Sequence, residues 1–253
     1  MNDVIDMTQV VSALELPPSA LVTQRISKKL LIENGVSIPA DKRTINDGIE
    51  ELTWVAALKP NNIGVPAFRD NVREYLEIAV LSLVMCPASN LLRIVELIHR
   101  AIPYPVFLIS AYDKTIAISV ANKRYSQNEV GQTVLDAGVT ECVLSDHLET
   151  PKLLKSLGLS SQPRSNLFAL YQGWLACLEA YRAAQITGQF VLASDNASRD
   201  ARHNALSEYA RLERDIATLR SQAEREKQVN RRVELNMQIV DLSKQSDKSR
   251  ESL

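Results

Sequence analysis

The sequence predicts an α+β fold: a mixed, mostly antiparallel sheet with flanking helices, followed by a C-terminal helical hairpin or long coiled-coil helix. Three observations predict it. Apolar, β-rich runs at 52–60, 75–85, 104–112 and 115–125 are joined partly by a tight turn and partly by an amphipathic helix, which gives a mixed sheet with helices on one face. The run YLEIAVLSLVM (75–85) is apolar at both alternating positions, as a central strand is. From Ser198 to about Gln245 the chain has no Pro and no Gly and is rich in Ala, Glu, Arg, Leu and Gln.

Residues 1–15 read as a short helix stopped by Pro17-Pro18, since proline lacks the backbone donor and restricts the residue before it. Ser19 to Glu33 reads as a second helix closed by Asn34-Gly35. Ala40 to Ile49 reads as a third. The strand 52–60 ends at a proline, and the central strand ends at Pro87 and Ser89. Asn90 to Arg100 places Leu91, Ile94, Val95 and Ile98 at i, i+3, i+4 and i+7, with His99 and Arg100 in the last turn, where the helix dipole favours cations. Asp113-Lys114 between two apolar runs reads as a hairpin, although it lacks the usual glycine. A short helix near 127–137 then leads to a possible edge strand, VTECVLS, at 139–145.

The polar, turn-forming stretch 158–165 marks a linker between an α+β domain (1–157) and a helical region (166–253). Asn166 to Gln185 carries Leu167, Leu170, Tyr171, Trp174, Leu175 and Leu178 on one broad face. The long helix, residues 198–245, would be about 70 Å at 1.5 Å per residue. In heptads, its seam reads Tyr209, Leu212, Ile216, Leu219, Ala223, Glu226, Asn230, Val233, Met237 and Val240. Glu226 and Asn230 interrupt an otherwise apolar or aromatic coiled-coil seam, and an Asn at such a position can fix register. Leu235, Ile239 and Leu242 form a second stripe, so the helix needs more than one neighbour. One could be the 166–185 helix, packing on the first half in cis as an αα-hairpin but too short to cover both halves; the other could be a second chain, including a homodimer partner.

Composition narrows the function. A net charge of −1 does not suit a generally basic nucleic-acid binder, so any DNA contact has to come from a local patch. Lys59, Arg69, Lys123 and Arg124 fall at strand ends or in the following loop, and with Arg73 they could form a phosphate-binding patch. Arg231 and Arg232, with Arg225 and Lys227, cluster at the polar interruption. Ordinary solvated strand ends and helix faces account for the same residues.

The cysteines (Cys86, Cys142, Cys177) and histidines (His99, His147, His203) are scattered, without the doublets that zinc needs. No metal site, cofactor or catalytic constellation is expected. The nucleotide-loop signatures are missing. A restriction-type nuclease core would require an acid two positions before Lys123, where Ala121 stands. Ser145-Asp146-His147 are consecutive, and their side chains diverge too far to act as a triad. The acidic N-terminus is no signal peptide, and the apolar run 78–86 is far too short to span a membrane, so the expected location is cytoplasmic.

Five segments together resemble the bacterial DUF4391 family. They are TQRISKKLLIENG (23–35), ADKRTINDGIEELTWVAALKP (40–60), VREYLEIAVLSL (72–83), LIHRAIPYPVFLI (97–109) and EREKQVNRRVELNMQI (224–239). The resemblance covers almost the whole chain. It implies association with helicases of the Snf2 or DEAD/DEAH type and with DNA methyltransferases, in anti-phage or restriction-like systems. It supplies no catalytic residues. The expected function is therefore a non-catalytic accessory or adaptor subunit of such a complex, the alternative being a DNA-binding or degenerate nuclease-like module.

Overall fold

The structure, a computed structural model, describes residues 5–35, 38–87, 89–127, 132–136 and 138–253. The chain forms two compact units, Met1–Leu178 and Glu179–Leu253.

In the first unit, helix α1 (Met7–Ala13) begins at Asp6, whose carboxylate accepts the Gln9 amide while the Gln9 side chain accepts the Asp6 amide. A 3-10 turn (Pro18–Ala20) leads into strand β1 (Leu21–Arg25), followed by α2 (Lys28–Gly35), α3 (Pro39–Gly48), β2 (Ile49–Leu58) and a one-turn helix, α4 (Pro60–Ile63). The short strands β3 (Phe68–Arg69) and β4 (Glu74–Tyr75) pair with each other. Then come β5 (Ile78–Met85), α5 (Leu91–Ala101), β6 (Val106–Tyr112) and β7 (Thr115–Val120). Strand β8 (Lys123–Tyr125) pairs with β9 (Thr133–Leu135), and β10 (Thr140–Leu144), α6 (Thr150–Ser156) and a 3-10 turn (Leu159–Ser161) precede α7 (Leu167–Thr187).

The main sheet has the order β1-β2-β5-β6-β7-β10. Every neighbouring pair is antiparallel except β5 and β6, which α5 joins as a parallel crossover. The fold is thus α+β with a mixed, mostly antiparallel sheet. Strand β5 is central and buried at nearly every position, as a run apolar at all positions but Ser82 requires. Asn90 caps α5 by accepting the Arg93 amide. The β6–β7 hairpin turns on Asp113 and Lys114, and Asp113 takes the left-handed conformation (φ +51°) for which glycine is usual.

Helices cover both faces of the sheet rather than one. On one side, Leu31 of α2, Ile45 of α3 and Ile94, Leu97 and Ile98 of α5 join Ala79, Leu81, Leu83, Val106 and Leu108 in a single core. On the other, Phe107 meets the Trp174 ring of α7 at 4.7 Å. The Tyr171 hydroxyl on α7 accepts the Ala121 amide at 2.8 Å and lies 2.7 Å from the Val106 carbonyl.

Three sequence expectations change in this unit. Residues 19–33 are not one helix: Leu21–Arg25 pairs along the edge of β2, with an irregularity between Leu21 and Gln24 where Thr23 is left-handed (φ +52°). The helix expected near 127–137 is strand β9 at 133–135; residues 128–131 and 137 lie outside those described. The stretch 158–165 is packed structure rather than a tether. The Gln162 side chain is buried and donates to the Ser156 carbonyl, and the Trp174 indole donates to the Leu157 carbonyl.

The second unit holds the end of α7, then α8 (Asn196–Arg225) and α9 (Val229–Glu251). Gly188 ends α7 with a left-handed turn (φ +83°), and its amide donates to the Ala184 carbonyl. Asp195 caps α8 by accepting the Ser198 amide. The single helix expected over 198–245 is two helices. Glu226 and Gln228 are extended (ψ 126° and 119°), and the Glu226 carboxylate accepts the Gln228 amide at 2.9 Å. The helices run antiparallel: Ser246 donates to Glu213, and Ser249 to the Ala205 carbonyl. The break falls at the polar interruption of the seam, where no apolar side chain rewards a straight course. Folding back buries Leu212, Ile216 and Ala223.

Candidate interaction surface

Most of the strand-end cations already hold carboxylates. Lys59 pairs with Glu77 at 3.0 Å. Arg69 pairs with Glu74 across the β3–β4 ribbon. Arg124 and Arg73 share Asp136 at 3.3 and 3.0 Å, and the Arg73 guanidinium lies 5.0 Å from the centre of the Phe168 ring. A phosphate would have to displace these partners.

Lys123 does not belong to any surface patch. It is 1% exposed, and its ammonium donates to the Ile102 carbonyl. The first residue of β8 faces inward, and the sequence cannot show which way so short a strand turns. Burial pulls the Lys123 pKa down to about 7. Nearby, His99 is wholly buried with Nε2 3.0 Å from the Ser119 hydroxyl, and burial, then the Lys123 charge, lowers its pKa to about 3. Glu77 on β5 and Lys123 on β8 have separate structural partners, so they do not meet as an acid–lysine pair of a nuclease core. Among the described residues, no group of three or more His, Cys, Asp or Glu side chains is arranged to hold a metal ion.

A cleft of about 480 Å³ in the first unit is lined by Glu33, Glu74, Arg100, Tyr104 and Thr133, among others. Its charged members are again paired: Glu33 with Lys29, Glu74 with Arg69, and Arg100 with Glu96.

The hairpin differs. Of the heptad seam, Leu212 and Ile216 are buried within their own chain and Leu219 is half-buried. These three are corrected from partner-binding residues to the inner packing of the hairpin, because the chain folds back where a straight helix was expected. Asn230 is exposed in the first turn of α9. Val233, Met237 and Val240 are 51%, 65% and 53% exposed. Val229, one turn before Val233 and off the heptad seam, is 61% exposed and extends the stripe. Its i, i+4 spacing from Val233 was the signal that heptad reading missed.

At 3.6 residues per turn, this stripe lies about 150° around α9 from the stripe of Leu235, Ile239, Leu242 and Ser246 that faces α8. A groove of about 410 Å³ runs along it, lined by Val233, Asn236, Met237, Val240, Asp241 and Lys244. Beside its start, the hairpin tip carries Arg220, Arg225, Lys227, Arg231 and Arg232, all exposed, against Glu224 and Glu226. Arg231 approaches Glu226 at 3.6 Å.

A family model described as a domain of unknown function, DUF4391, matches residues 14–245, most of the chain. No curated protein and no solved structure matches it.

Proposed function

We propose that this chain, which belongs to the DUF4391 family, is a non-catalytic adaptor subunit that holds a partner protein on helix α9. One observation carries the reading. Val229, Val233, Met237 and Val240 form a continuous apolar stripe, more than half exposed, on the side of α9 away from α8. Covering each of these side chains would contribute roughly 1 kcal/mol before ordering costs. The inner stripe is already satisfied, so the outer one is not needed to hold the hairpin together.

The partner class follows from the family resemblance: a helicase of the Snf2 or DEAD/DEAH type, a DNA methyltransferase, or both, in an anti-phage or restriction-like system. DNA contact in such a complex is indirect. No helix among the described residues is long and apolar enough to cross a membrane, and we place the complex in the cytoplasm. The test is affinity purification from cells carrying the native operon, comparing the natural chain with V233E/M237E. A helicase or methyltransferase should co-purify with the first and be lost with the second. Equal recovery with both would reject the role of α9. Mg²⁺-dependent cleavage of duplex DNA by the purified protein would overturn the non-catalytic assignment.

A further inference from the structure

Resting on that adaptor reading, we infer that the occupant of the α9 stripe is an amphipathic helix of another protein, with an apolar seam and an acidic end set against the hairpin tip. Three features of the surface select this partner.

The first is the stripe's shape. Its steps of four, four and three residues trace the seam of a helix that expects a second helix, and Val229 to Val240 spans about 16 Å, or three turns. It is also narrow. Glu234 is exposed beside it, and Asn236, Asp241 and Lys244 line its groove. A lipid surface would demand a wider apolar face without carboxylates along it.

The second is the charge at one end. Residues 220–232 hold five cations and two acids, all in the last turns of α8, the turn, and the first turn of α9. Arg220, Arg225, Lys227 and Arg232 are exposed, while Arg231 leans on Glu226. The stripe begins at this cluster, so a ligand lying along α9 meets apolar contact and positive charge together. Nucleic acid satisfies the charge and leaves the valines and Met237 uncovered. An acidic amphipathic helix satisfies both, and the charge fixes its direction.

The third disfavours a second copy of this chain. Parallel pairing of two α9 helices sets the basic tip against itself. Antiparallel pairing about Met237 brings Glu234 beside Asp241.

The test uses the full chain with a photo-crosslinking phenylalanine derivative at Met237, expressed with its native operon, and mass spectrometry of the crosslinked peptide. The expected product is a peptide from a different protein with heptad-spaced apolar residues and a net negative charge. R231E/R232E should lower its yield at least tenfold, while V233A lowers it less. A neutral or basic peptide, or an unchanged yield after charge reversal, overturns the acidic-helix inference and leaves the adaptor reading standing. A crosslink to this chain's own α9, to nucleic acid or to lipid, or no crosslinked product at all, overturns both.

Discussion

Replacing Lys123 with methionine should make the first unit more stable at low pH and erase part of its pH dependence. The lysine is 1% exposed, and its pKa falls from 10.5 in an open chain to about 7 in the fold. Below pH 7 both states hold the proton, and the folded state bears the full cost of a buried charge. Between about 7 and 10.5 the unfolded chain holds more protons than the native one, so stability rises with pH across that window and levels off above it. At about 1.4 kcal/mol per pH unit, the natural protein should gain on the order of 3 kcal/mol between pH 6 and pH 9.5 relative to Lys123→Met. Methionine also leaves the Ile102 carbonyl without its donor, a cost of about 1–3 kcal/mol that is the same at every pH and cancels from the difference. Urea unfolding by tryptophan fluorescence reports this unit alone, because both tryptophans, Trp54 and Trp174, lie in it. Parallel stability curves for the two proteins from pH 6 to 9.5 would refute the reasoning.

Four further outcomes are expected. Asp113→Gly should raise stability by roughly 0.5–1 kcal/mol, read as a higher urea midpoint, because the position is already left-handed. Gly35→Ala should lower it by about 1–3 kcal/mol in the same assay, since an added Cβ would sit 2.6 Å from the Ala101 Cβ and 2.8 Å from its Cα, where backbone must move. The Arg93 guanidinium bonded to Asp41 holds its carboxyl below the usual 3.8, so this pair stabilises the fold above that pH and the benefit fades as pH falls through the lowered value. Asp41→Asn should therefore flatten the acid limb of the unfolding curve. Ser246→Ala should weaken the α8–α9 hairpin by about 1 kcal/mol, measured as faster amide hydrogen exchange in α9.

The elements that sequence resolved are those whose signal is local. The apolar run of β5, the apolar face of α5, and the two apolar runs flanking Asp113-Lys114 each fix their conformation within a dozen residues. What escaped depends on distant partners. Leu21–Arg25 is a strand because β2 offers it an edge, which no feature of 19–33 announces. The 158–165 stretch has the composition of a tether, and only the buried Gln162 amide shows it to be packed. At the candidate surface, two apolar stripes on different sides of residues 233–242 were legible from helical spacing. The turn at 226–228 was not, because it contains neither Gly nor Pro and arises from what α9 gains by lying on α8. The strand-end cations looked available for phosphate because their counterparts, Glu74, Glu77 and Asp136, meet them only after folding.

That reversal at Glu226 also sets where handles can go. A straight rod would have carried its last residues about 70 Å from its start. Instead Ser249 lies against Ala205, so Leu253 returns to the base of the hairpin and the tip is a loop in mid-sequence. A fluorophore or affinity tag fused after Leu253 leaves the Arg231 end unobstructed. A reporter intended to sense that end has to be placed at 226–228.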